Sequence, residues 1–86
     1  MYNDPKYIVY NYQIYIFPVH INHADFAFLN RWKLDNIQGA GFINYGVEDF
    51  FCYGESVSMK IESRGVQDTR CAKKLFGIDW GEKIWK

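Results

Sequence analysis

An excess of charge of either sign is missing from this chain: ten Lys/Arg stand against ten Asp/Glu in 86 residues. A protein that grips phosphate backbones needs a basic surplus, so a nucleic-acid partner is not expected. Cysteine is scarce as well. Cys52 and Cys71 are too few for a disulfide framework and read as two reduced, buried thiols, although the sequence alone leaves their pairing open. Long apolar runs are absent, and none approaches the roughly eighteen residues that a membrane span needs. The N-terminus MYNDPKYIVYNYQIYIF lacks the basic start and clean apolar stretch of a secretory signal, so a soluble cytoplasmic protein is expected. Catalytic signatures are equally thin. No G-x-S-x-G or S-x-x-K pattern accompanies Ser56 or Ser58. Gly39-Ala40-Gly41 has no downstream Lys-Ser/Thr, so its role is steric, allowing close approach of backbone. His20 and His23, with Asp25 behind them, have an H-x-x-H look but no third ligand in sequence. Neither an enzyme, a metal nor a cofactor is expected.

Aromatic residues are plentiful at 20% of the chain. A domain of this size cannot bury so many rings completely, so some should meet a partner subunit or a ligand. The length suits one domain spanning 1–86. Charge is mildly asymmetric: residues 1–50 hold three Lys/Arg against five Asp/Glu, and residues 51–86 hold seven against five.

Tyr7–Tyr10 and Gln13–Phe17 read as two strands hinged at Asn11–Tyr12, or else as one long strand, since Ile8, Tyr10, Tyr12, Ile14 and Ile16 keep one parity. Pro18 ends the segment, and Asn22 caps a helix from His23 to Lys33 with Phe26 and Leu29 inward. Gly41–Tyr45 forms a strand, and a long strand returns from Phe50 to Ile61 with Gly54 as a candidate bulge. On that strand Phe51, Tyr53, Val57, Met59 and Ile61 share a core-facing parity that Glu55 breaks. Glu55 either turns outward at a bulge or is buried with a cationic partner. The opposite parity carries a lane of small side chains, Cys52, Gly54, Ser56 and Ser58, with room above it for a neighbour or a bound molecule. Gly65 starts a last helix with Asp68 in its first turn and Lys73 and Lys74 in its last, where each suits the helix dipole. Gly77 ends it, and Leu75 and Phe76 join the core. The fold class expected is α+β, an antiparallel sheet covered by two helices in the order ββαββα, with the tail 78–86 as a docking or oligomerisation arm.

The motifs Asn22-His23-x-Asp25, Gly39-Ala40-Gly41-Phe42, Cys52-Tyr53-Gly54-Glu55-Ser56-Val57-Ser58 and Ser63-Arg64 with Asp68 together resemble a group of short phage- and prophage-borne proteins of unassigned function. Their pattern runs N-H-x-D, S-A-G-F, C-[FY]-G-x-S-x-S-L, S-R-P-x-D. The resemblance spans residues 7 to 76, and the chain departs from it at Gly39, Met59 and Gly65. It implies a viral or mobile-element setting, where small accessory proteins block host defence, and it supplies no mechanism. The function expected is a non-enzymatic homo-oligomer that sequesters a small anionic, nucleotide-like ligand. Asn22, His23, Gly54, Ser56, Ser58, Ser63 and Arg64 are the candidate ligand contacts, with Arg64 supplying charge at the last helix start. Tyr7, Tyr10, Tyr12, Tyr15, Trp80 and Trp85 are the candidate oligomer contacts. The alternative is an inhibitory or structural module acting through that aromatic surface.

Overall fold

The computed structural model describes residues 4–44 and 51–75. Strand β1 (Lys6–Tyr10) turns into β2 (Gln13–Phe17) through Asn11 and Tyr12, at φ 51° and 66°. Two successive left-handed residues make the two-residue hairpin turn whose twist suits antiparallel strands, so the hairpin reading holds. Asn tolerates that region, whereas Tyr12 is held there from outside: its amide donates to the Gln38 side chain at 2.8 Å, and that of Asn11 to the Asn36 carbonyl at 3.0 Å.

Helix α1 (His23–Leu29) begins as expected, with the Asn22 side chain accepting from the amides of Ala24 and Asp25. It ends at Leu29 instead of Lys33. Arg31 takes a left-handed conformation (φ 59°) and the Trp32 amide bonds back to Ala27, a wrapped helix end. Leu29 therefore points to solvent and is no part of the core. A single 3-10 turn at Leu34–Asn36 leads into β3 (Ile37–Asn44), longer than expected because residues 37–40 also pair with β1.

The long strand expected from Phe50 to Ile61 is three short ones: β4 (Phe51–Tyr53), β5 (Glu55–Ser56) and β6 (Ile61–Glu62). Gly54 at φ 80° breaks the first junction, and a turn over 57–60, with Lys60 at φ 58°, breaks the second. A parity argument needs uninterrupted extended backbone, and each break resets it. Of the five residues expected to face inward, Met59 alone is buried; Phe51 is exposed, Val57 is 77% exposed, and Tyr53 and Ile61 are half-buried. Cys52 and Ser56 are buried instead, so no open lane of small residues exists. Glu55 is exposed, turned outward at the Gly54 break.

The molecule is an α+β structure with an antiparallel four-stranded sheet in the order β2-β1-β3-β4, beside a second small sheet of β5 and β6. Helix α2 (Val66–Leu75) covers one face, packing Ala72 against Tyr7, Val9, Ile14, Ile43 and Cys52. Helix α1 and the β5–β6 segment cover the other, where Ala27 and Met59 meet Ile8, Phe17, Ile37 and Ala40. Strand β1 is thus buried on both sides. The expected helix count and layering hold, but the second strand pair is four strands, and Leu75 is exposed. Phe76, Gly77 and the tail 78–86 lie outside the described residues. On the outer side of β4, the Cys52 amide donates to the Thr69 hydroxyl at 2.9 Å, which in turn donates to the Gly65 carbonyl. No helix among the described residues is long and apolar enough to cross a membrane.

Candidate functional site

Register across the sheet places Phe17, Lys6, Phe42 and Tyr53 in one row, contributed by β2, β1, β3 and β4 in turn. Residues directly opposite one another share a face, so all four point toward α1. His23, the first residue of α1, stands edge-on to two of these rings, 5.6 Å from Phe17 and 5.9 Å from Phe42. The Lys6 ammonium donates to the Ile21 carbonyl at 2.8 Å, tying the row to the segment before the helix. The far wall is the chain from Gly54 to Ser58. Between these parts lies a cavity of about 350 Å³, lined by Lys6, Asn22, His23, Phe42, Gly54, Glu55, Val57 and Ser58. Its size is in the range of small-molecule clefts.

Asn22, His23, Gly54 and Ser58 therefore come together as the sequence expected, although by a different route. Asn22 and His23 are brought by the helix cap, and Ser58 reaches the same place because its hydroxyl accepts from the Ala24 amide at 3.3 Å. Ser56 is fully buried beneath, bonding Ser58 and the Met59 amide, and does not line the cleft. Burial holds the His23 imidazole below its ordinary pKa; the Lys6 charge pushes the same way, while a 2.9 Å bond to the Gly41 carbonyl opposes them. His20 and Asp25 are exposed, and the described residues contain no cluster of His, Cys, Asp and Glu suited to a metal ion.

Ser63 and Arg64 do not line this cleft. They belong to a buried polar network on the α2 side, centred on Asp68, which is wholly inaccessible. The Arg64 amide donates to Asp68 Oδ2 at 2.8 Å and its Nε to Oδ1 at 2.7 Å. The Tyr7 hydroxyl lies 2.5 Å from Oδ2 and 2.6 Å from Ser63 Oγ. A phenol has one proton, and the carboxylate can only accept, so Tyr7 donates to Asp68 and Ser63 donates to Tyr7. Ser63 Oγ accepts in turn from the Gly65 amide at 3.0 Å. Burial, then the Asp68 bond, drives the Tyr7 phenol far above its ordinary pKa, which keeps its proton in place. Burial likewise pushes the nearby Cys52 thiol up to about 12. Gly39 makes this arrangement possible: a Cβ there would collide with the Asp68 carboxylate. The steric role expected of Gly39 thus has a named beneficiary. Gly41 plays a similar part, leaving room for the Tyr53 carbonyl.

Among the candidate oligomer contacts, Tyr12 is 76% exposed, whereas Tyr7 is fully buried and cannot serve. Tyr10 and Tyr15 are half-buried against Trp32, at ring separations of 4.5 and 4.7 Å. Trp80 and Trp85 lie outside the described residues. Lys6, Phe42, Glu55 and Val57 are cleft residues that sequence reasoning missed. The available signal was Lys6, a lone cation on the parity of Ile8 and Tyr10 in an otherwise apolar strand. Comparison with family models, with curated proteins and with solved structures found no match for this chain.

Proposed function

We propose that this protein is a non-enzymatic binding protein whose cleft takes a small anionic, nucleotide-like ligand. The observation that carries this reading is the cross-strand row that sets Lys6 beside Phe42 under a buried His23, at the floor of a cavity of about 350 Å³. Lys6 spends one ammonium proton on Ile21 and keeps two for an anion, and the Phe42 ring gives the same cleft an aromatic lining. Arg64, with its Nε committed to Asp68, gives up the role of anion anchor to Lys6. The resemblance to phage-borne accessory proteins supplies a setting, the sequestration of a signalling nucleotide in the host cytoplasm. Homo-oligomerisation belongs to the same proposal, with Tyr12 as the exposed ring at the hairpin tip.

Native mass spectrometry of protein taken directly from cell lysate tests this reading. A retained small molecule that disappears in Lys6→Ala, with the fold unchanged, is the expected result. A charge-assisted contact of this kind corresponds to roughly a ten- to hundred-fold loss of affinity. Absence of any retained mass, or a mass indifferent to Lys6→Ala, removes the cleft from consideration. A second reading, a protein-interaction module, is favoured by Phe28 and Leu29, which are 80% and 75% exposed at the end of α1. A stable heterologous partner lost in a Phe28→Ser/Leu29→Ser variant supports that reading instead.

A further inference from the structure

His23 is 4% exposed, yet its hydrogen-bonding capacity is only half used. Nε2 lies 2.9 Å from the Gly41 carbonyl, an atom that can only accept, so Nε2 carries the ring proton. A neutral imidazole with its proton on Nε2 has a lone pair on Nδ1. Every fully buried side-chain nitrogen or oxygen among the described residues has a hydrogen-bond partner. Among the described residues Nδ1 has none, so it is not sealed in the interior, and the cavity that His23 lines is the space left to it. The ring has little freedom to turn over. It stands perpendicular to Phe17 and Phe42, and a flip would abandon Gly41. On the same wall Asn22 Oδ1 already accepts from two helix amides, and Ser58 Oγ from the Ala24 amide.

We propose that His23 Nδ1 is a fixed acceptor that reads an N–H or O–H group on the ligand, so that the cleft selects planar molecules carrying such a donor together with an anionic group for Lys6. This rests on the cleft reading above and narrows it. A ligand lacking the donor leaves a buried lone pair dry and unpaired, which is penalised more than a bond at the surface is rewarded. Nucleoside monophosphates whose base carries a ring imide or amide N–H meet both requirements.

Calorimetric titration with uridine and guanosine 5′-monophosphates, each beside its N3-methyl or N1-methyl derivative, tests the assignment. The parent compounds bind, and methylation of the ring N–H weakens binding by roughly tenfold or more. In His23→Gln the side-chain amide can still donate to Gly41 but offers no acceptor at the Nδ1 position. That variant keeps its melting temperature and binds the parent no better than the methylated compound. Nitrogen-15 spectra of the imidazole show the Nε2–H tautomer at neutral pH. Equal affinity for parent and methylated probes, a proton on Nδ1 at neutral pH, or no binding by any of the four overturns the inference. If none of the four binds while a Lys6-dependent mass is still retained from lysate, the donor rule fails and the cleft stands. If both are absent, both fail.

Discussion

The two faces of the four-stranded sheet use polar groups in opposite ways. Under α2 the polar atoms serve one another: the inaccessible Asp68 collects three donors, and Tyr7 and Ser63 form a directed chain. Under α1 the polar atoms border a cavity, and Lys6 and His23 each keep bonding capacity in reserve. Strand β1 serves both, since Tyr7 faces one side and Lys6 and Ile8 the other. A satisfied network rigidifies, and Ser63, Arg64 and Asp68 bond within such a network and do not line the cleft.

The contrast is broken most severely at Asp68. Asp68→Ala strands the fully buried Tyr7 hydroxyl and unpairs the part-buried Arg64 amide and guanidinium, and should destabilise by about 2–4 kcal/mol in chemical denaturation. A loss below about 1 kcal/mol would mean the network is open to water. Tyr7→Phe removes one link and leaves Asp68 a donor short. A cost of about 1–3 kcal/mol is expected, with any ligand affinity of the cleft unchanged. A matching loss of affinity would show the two faces to be coupled.

Titration sharpens the comparison because the faces respond at opposite ends of the pH scale. His23 has a lowered pKa in the folded state. The unfolded chain therefore takes up its proton first as pH falls below the ordinary histidine value of 6.5, and stability present above that value declines until the native imidazole titrates. Cys52 is raised from 9.0 to about 12, so stability present below 9 is lost as pH climbs from 9 toward 12, and burial of the Tyr7 phenol adds to the same alkaline loss. Denaturation midpoints measured across pH should show His23→Gln flattening only the acid limb and Cys52→Ala only part of the alkaline one. The smallest effect belongs to Val57→Ala, which should stay within about 0.5 kcal/mol because the side chain is exposed. A cost above about 1 kcal/mol would put Val57 back in the core position that its parity suggested.

What was legible in the sequence was local. The Asn11–Tyr12 hinge, the Asn22 cap and the Gly65 start depend on residues adjacent in the chain, and each is where it was expected. Three of the eight cleft residues followed for the same reason, since Asn22 and His23 come with the cap and Gly54 with its turn, while Ser58 arrives through its contact with Ala24. Lys6 and Phe42 meet through strand register, a long-range fact that periodicity does not encode. Parity failed between Phe51 and Ile61 because Gly54 and Lys60 interrupt the extended backbone on which it depends. Arg64 was a different kind of miss. Its spacing to Asp68 is that of a helical ion pair and was open to view, but a carboxylate of the chain itself had already taken the place offered to an outside anion.

The Thr69 hydroxyl has a consequence for assembly. An outermost strand normally presents unspent amides on which a foreign strand can dock and grow the sheet. On β4 the outward Cys52 amide is spent on Thr69, which is itself anchored to the Gly65 carbonyl at the start of α2, so the chain's own helix takes the donor that a foreign strand would need there.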